Sequence, residues 1–387
     1  MARTIRCFSR LTLGVFNNHV NHQLLCNGSK TLYTEASLGL PEYKSARENF
    51  RERYTSSLDA FKQKIKTSVE NEQNLIFTED LKALIHVVDK QPGDVELLIA
   101  AMHRFNDQDK DIRFGSFKFG PVVMRAFHYL NEPLSALETF RDPKFESFYD
   151  QQTTFAILAD LLHENGMYKE VREVYDLIRT RFPNGSKNPK LVVSVLALSC
   201  YKENTKESLD FGVKICKEMV DRGALPLRKV VSTLAALALR QNAPHIALEI
   251  LTLCKKSEYI STKTVRIMAL CDLDRIDDVA HDFQLTLKRA IPQRSQYFSD
   301  IVPKIEAAIE RGNISPNAEI CELFAIIKAR EYIQDKTLEE HISEPLDPQK
   351  AGNPRYRQQE SYGWSQPMRQ DKDWSSTRQA AIGDHGE

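Results

Sequence analysis

Apolar residues recur at helical spacing through the middle of the chain, in pairs of short amphipathic segments separated by turn signals. The clearest pair runs from Thr153 to Ile178. Phe155, Leu158, Leu161 and Leu162 share one helical face, Asn165-Gly166 interrupts it, and Val171, Val174, Tyr175 and Ile178 share the face of a second helix. Gly166 suits the left-handed residue that closes a helix. Two short helices joined by such a turn cannot bury their apolar faces alone, so the pattern demands stacked copies. Aligning on the first small or apolar position of the second helix gives Leu98, Ala136, Val171, Ser208, Ala247 and Val279. Their spacing, about 32 to 39 residues, is that of helical-hairpin arrays. Each anchor follows a turn signal: Pro92-Gly93, Asn131-Glu132-Pro133, Asn165-Gly166, Glu203-Asn204, Asn242-Ala243-Pro244 and Asp274-Arg275. Pro133 and Pro244 fit the first helical turn, where no backbone N–H is needed.

No sustained alternation of β-branched and polar residues calls for strands, and no Gly/Ser- or Pro-rich linker divides residues 75 to 330. The expected fold class is therefore all-α, an α-solenoid of about six stacked hairpins over 75–295. A partly helical extension at 36–74 precedes it. Ile301, Ile305, Ile309, Ile320, Leu323, Phe324 and Ile327 predict capping helices over 296–342.

The two ends differ in character. Residues 1–35 carry Arg3, Arg6, Arg10 and Lys30 but no acid before Glu35, with Ile5, Phe8, Leu11, Leu13, Val15 and Phe16 interspersed. That is the composition of a mitochondrial transit peptide, with a mature N-terminus expected between Gly28 and Leu38. Residues 343–387 are rich in Pro, Gln, Ser and charge and read as a disordered tail, although Trp364 and Trp374 lie within it. No apolar run approaches the roughly 18 residues of a membrane span. Beyond the presequence, Cys200, Cys216, Cys254, Cys271 and Cys321 form no C-x-x-C pair and sit in apolar helical patterns, as buried reduced thiols do.

The order of residues over Thr153–Ile178 resembles a pentatricopeptide repeat: threonine-aromatic, apolar run, glycine turn, acid-rich second helix. The resemblance extends to Phe114-Gly115-Ser116-Phe117-Lys118-Phe119-Gly120-Pro121, to Cys200-Tyr201-Lys202 with Glu207-Ser208, and to Ala236-Leu237-Ala238-Leu239 with Gln241-Asn242. It implies a protein of the mitochondrial matrix that takes part in RNA maturation and so supports the respiratory chain. In that family the residue after the first-helix aromatic usually reads a base. Here those positions hold Pro121, Ala156, Val193 and Ser232, of which only Ser232 carries a side-chain hydrogen-bonding group. One-base-per-repeat readout is therefore not expected.

Charge is balanced overall, with 53 basic and 53 acidic residues, which argues against indiscriminate nucleic-acid binding. Its distribution is uneven. The expected first helices carry Lys118, Arg125, Lys190, Arg228, Lys229, Arg240, Lys263 and Arg266, whereas the second helices hold most acids, among them Glu138, Glu173, Glu218, Glu249 and Asp282. The resemblance places first helices on the concave side, so Lys118, Arg125, Lys190, Arg228, Lys229, Lys263, Arg266 and Ser232 are the candidate RNA-contacting residues. Phosphates would meet the cations, with Phe119 or Phe127 as candidate stacking surfaces, although both fit the core pattern better. No phosphate-binding glycine loop or His-x-x-x-His pair occurs, and Asp272, Asp274, Asp277, Asp278 and Asp282 have the spacing of a solvated face rather than a metal site. The expectation is a non-catalytic protein without cofactor or metal, binding single-stranded or structured mitochondrial RNA, with RNA-processing proteins as further partners. The rival reading is a mitochondrial scaffold that binds protein without RNA contact.

Overall fold

The computed structural model describes residues 32–345, apart from 72, 109–116, 182–188, 255–257 and 290–294. Within them the chain forms an all-α stack of helical hairpins, as the pattern predicts. After a four-residue helix α1 (Glu35–Leu38) the hairpins are α2 (Leu40–Tyr54) with α3 (Leu58–Glu70), α4 (Thr78–Val87) with α5 (Asp94–Asp107), and α6 (Phe119–Leu130) with α7 (Pro133–Arg141). Next come α8 (Gln152–Glu164) with α9 (Tyr168–Arg181), α10 (Lys190–Glu203) with α11 (Lys206–Asp221), and α12 (Arg228–Arg240) with α13 (Pro244–Leu251). The series ends in α14 (Ile260–Asp272) with α15 (Ile276–Arg289) and α16 (Ile301–Arg311) with α17 (Glu319–Ala329), followed by α18 (Leu338–Ile342). Two short parallel strands, β1 (Tyr297–Phe298) and β2 (Ile333–Gln334), pair beside α14.

The turns explain why the hairpins repeat. Every expected turn holds one residue in the left-handed region: Gly93, Asn131, Gly166, Asn204, Asn242 and Asp274, with φ between 51° and 87°. Only glycine, and to a lesser degree Asn and Asp, adopts this conformation readily. The following amide returns to a carbonyl of the last helical turn, as from Glu132 to Phe127 (2.9 Å), Met167 to Leu162 (2.9 Å) and Ala243 to Ala238 (2.9 Å). This closure satisfies otherwise orphaned carbonyls and points the chain back along its own helix. All six anchors lie in the first turns of second helices with 0% exposure.

The six hairpins expected over 75–295 are present as α4 to α15, and among the described residues one more stacks at each end, eight in all. The first helices form one row, α2, α4, α6, α8, α10, α12, α14 and α16, each against the next. Asn313, with φ 45°, closes α16 as Asn131 closes α6, so the region expected to cap the array adds a further hairpin. At the other end α2 is too polar for its pattern to show. It buries Leu40, Tyr43 and also Arg47, whose guanidinium donates to the carbonyls of His86 (3.0 Å) and Val88. Ion pairs one repeat apart tie neighbouring hairpins, including Arg141–Glu173 (2.6 Å), Arg172–Glu203, Arg179–Glu218 and Lys304–Asp272 (2.6 Å). Arg141 and Glu173 are well exposed, so their pair contributes register more than stability.

Both described ends of the chain return across the row of first helices. Leu32 and Tyr33 are buried, and the Tyr33 hydroxyl donates to the Leu191 carbonyl of α10 (2.9 Å). α1 packs on α2 and α8. At the far end α18 lies against α12 and α14, with Glu339 reaching Lys202 of α10 (3.2 Å). These two straps cover surface that the hairpin pattern alone leaves open. Among the described residues no helix is long and apolar enough to cross a membrane. Residues 1–31, 109–116, 255–257 and 346–387, which hold most of the expected presequence, part of the Phe114–Pro121 block, Lys255, Lys256 and the tail tryptophans, lie outside the described residues.

Candidate nucleic-acid interface

The first-helix cations do not form one continuous groove. Arg125 in α6 is covered by the N-terminal strap, donating from Nε to the Leu38 carbonyl (2.7 Å). Lys118, at the start of α6, is exposed and pairs loosely with Asp150 (3.5 Å). Lys190 is exposed at the first turn of α10. Lys229 in α12 lies under the end of the C-terminal strap and donates to the Glu344 carbonyl. Burial there pushes its ammonium down to about 8. Arg266 pairs with Asp282 (2.6 Å). The straps and local acids thus divide the candidates.

Ser232 corrects the sequence reading, and the core reading of Phe119 and Phe127 holds. Ser232 is only 1% exposed and its hydroxyl donates to the Lys229 carbonyl one turn back (3.2 Å), so it presents nothing to a base. Ala156 and Val193 are equally buried. Phe119 and Phe127 are core residues, Phe119 within an aromatic group with Phe105, Phe117 and Phe148. The apolar positions of a first helix that face the partner hairpin and those that face the next repeat together occupy most of its circumference, which leaves few outward positions. The aspartates at the α14–α15 turn are ion-paired rather than clustered: Asp272 with Lys304, Asp274 with Arg311, Asp278 with Arg275 and Asp282 with Arg266.

What the tertiary structure does assemble is a cleft of about 520 Å³ between α12, α14, α18 and the short strands. Arg228 and Lys263 from the first-helix row meet Arg289 from the end of α15 and Lys336 after β2. Among the described residues Glu258 is the one carboxylate lining it, 3.4 Å from Lys263 and 3.7 Å from Arg289. Lys263 also donates to Gln296 (2.9 Å), which fixes its ammonium toward the cleft wall. Tyr259, the residue before α14, is 37% exposed, and the Arg228 guanidinium lies 3.8 Å from its ring centroid. Four cations against one carboxylate, beside an exposed ring, suit an anion that carries a planar group. A smaller hollow of about 180 Å³ continues from the same cleft past Arg266.

Arg289, Lys336 and Tyr259 were absent from the sequence candidates. Tyr259 carries a readable signal, an apolar residue immediately before an apolar helical run. Lys336 carries none, because it reaches the cleft only when residues 330–345 fold back over α12 and α14.

Fold and cleft together define a helical-hairpin repeat protein with a cationic cleft on its first-helix face. The chain is similar to pentatricopeptide repeat-containing protein 2, mitochondrial. It is 30% identical to the Mus musculus protein over 197 residues, 51% of each chain. With the Xenopus laevis protein identity is 26% over 250 residues, 65% of this chain and 64% of the relative. With the Homo sapiens protein it is 27% over 197 residues, 51% of this chain and 50% of the relative. The chain spans about half to two thirds of the length of these curated relatives. No family model matches it.

Proposed function

We propose that this chain is a non-catalytic, mitochondrial-matrix RNA-binding protein that acts in transcript maturation, alongside RNA-processing proteins, and so supports the respiratory chain. The observation that carries the reading is the cleft where Arg228, Lys263, Arg289 and Lys336 surround Tyr259. The names of the similar mitochondrial proteins support the compartment and the repeat class. In this mechanism a single-stranded segment lays its phosphates along the four cations and stacks one base on Tyr259. Recognition is by backbone and stacking, since the base-reading positions of the repeats are occupied by Pro121, Ala156, Val193 and Ser232. Sequence preference is then shallow.

Binding of fluorescent single-stranded RNA to the full chain tests this. Four phosphate contacts give a slope of log affinity against log salt of roughly −3. Arg228→Glu with Arg289→Glu, two exposed positions, should abolish measurable binding, and Tyr259→Ala should weaken it by about 5- to 150-fold. Lys169→Glu with Lys206→Glu, on the second-helix row, should change it little. Equal losses from both pairs, or a salt-independent affinity, would overturn the cleft model. Coverage of the first-helix face by the two straps favours the scaffold reading as the alternative. That reading gains if the wild type retains no RNA while the cleft reversals abolish capture of an acidic protein partner.

A further inference from the structure

One cluster of charged side chains lies apart from the cleft, under the N-terminal strap. His128 projects from α6, and Asp160 and Glu164 project four residues apart from one face of α8. Such i, i+4 spacing places two carboxylates side by side. Asp160 has no exposed surface, and the side chains of His128 and Glu164 are 11% and 21% exposed. His128 Nε2 lies 3.4 Å from Asp160 Oδ2 and 3.6 Å from Glu164 Oε2, and one donor atom from each residue lies within 4.8 Å of the others. The Tyr33 backbone amide also lies against the Asp160 carboxylate, yet Asp160 Oδ1 has no hydrogen-bond partner.

These distances are long for charge-assisted hydrogen bonds, which close to about 2.7–2.9 Å. They match the edge of a tetrahedron around a zinc ion, about 3.3 Å for bonds of 2.0–2.1 Å. We propose that His128, Asp160 and Glu164 form a binding site for a divalent transition metal, zinc by preference, that clamps α6 to α8 beneath the N-terminal strap. The chemistry of the set supports zinc over magnesium. One imidazole and two carboxylates are three donors of the kind zinc takes, whereas magnesium demands six oxygens and keeps several waters. Two carboxylates and a neutral imidazole also balance the charge of a divalent ion in a buried setting, where uncompensated charge is costly. Glu35 of α1 is the further carboxylate whose charge acts on both His128 and Glu164. Water would complete the tetrahedron. The sequence reading sought His-x-x-x-His pairs and so passed over this set, whose histidine and first carboxylate come from equivalent helices of successive hairpins.

The test uses the full chain stripped of metal with a chelator, then titrated with zinc and, separately, with cobalt. The expected result is one equivalent bound, a rise in melting temperature on zinc addition, and a tetrahedral cobalt spectrum without a thiolate charge-transfer band. Glu164→Gln keeps the shape of the site and, as loss of a direct ligand, should lower zinc affinity by at least the roughly 10- to 100-fold typical of outer-shell changes. His128→Ala should lose the cobalt spectrum and the zinc-dependent melting shift. The proposal fails if zinc leaves wild-type melting unchanged, if both variants bind as the wild type does, or if cobalt shows thiolate bands that place the metal on cysteine.

Discussion

Replacing Gly120 by alanine tests the packing of the central hairpins more sharply than any charged substitution. Gly120 is the second residue of α6, in the Phe119-Gly120-Pro121 segment. A Cβ there would stand 2.2 Å from the Phe148 carbonyl oxygen, 2.5 Å from Gln151 Oε1 and 2.8 Å from Thr154 Oγ1. The backbone at Phe148 cannot easily retreat, because Phe145, Phe148 and Tyr149 are all buried around it. On helix propensity alone, alanine would stabilise α6 by about 1 kcal/mol. Forcing a methyl group against fixed backbone costs about 1–3 kcal/mol or more, and the shortness of the 2.2 Å contact places this case at the upper end. The net expectation is a loss of about 2 kcal/mol, which would lower the melting temperature by about 4–8 °C in a domain of roughly 150–250 residues and by less in this longer chain. Gly212 is the comparator. Its Cβ would meet Leu234 Cδ2 at 2.5 Å, the far end of a side chain that can rotate away, so Gly212→Ala should be close to neutral. Urea denaturation followed by far-UV circular dichroism reads both. Hydrogen exchange localises any loss, since repeat arrays can open locally and violate two-state behaviour. A Gly120→Ala variant as stable as the wild type, or less perturbed than Gly212→Ala, would refute the close approach of α6 to the Phe148 backbone.

Two further outcomes follow from burial. Cys200, Cys216 and Cys271 have thiols pushed up to about 12 by burial, so alkylation of the native chain at pH 8 should modify Cys254 and Cys321 first and spare those three until unfolding. Peptide mass mapping before and after denaturant checks this, and early modification of Cys200 would contradict the packing of α10. Leu32 and Tyr33 are 0% and 2% exposed, so the mature protein from mitochondria should begin at or before Leu32, in the early part of the window from Gly28 to Leu38. A mature N-terminus at Glu35 or later would show that the strap is not part of the working fold.

The hairpin architecture was legible in the sequence because its causes are local. The 3.6-residue period sets each buried face, a left-handed Gly, Asn or Asp closes each first helix, and a small or apolar residue three to five positions into the second helix seats it, at Ala136, Val171 and Ala247 alike. The polar α2 escaped notice, since Arg47 buries itself through hydrogen bonds to carbonyls of α4 and the residue after it that no pattern within α2 reveals. Candidate cations could be assigned to first helices from the sequence, but not their fate. Whether Arg125 is capped by Leu38, or Arg228 opens onto a cleft beside Tyr259, depends on where residues 32–39 and 330–345 come to rest. The straps reach helices far away along the chain, as from Tyr33 to Leu191 and from Glu344 to Lys229, 158 and 115 residues apart. The His128, Asp160 and Glu164 set is different: it joins the neighbouring helices α6 and α8, and what the sequence pattern did not show was its burial beneath the N-terminal strap. Repeat periodicity encodes contacts between neighbours, which is why stacking follows from the sequence alone. Contacts that skip several repeats, and the sites they build, carry no period and were decided only by the folded chain.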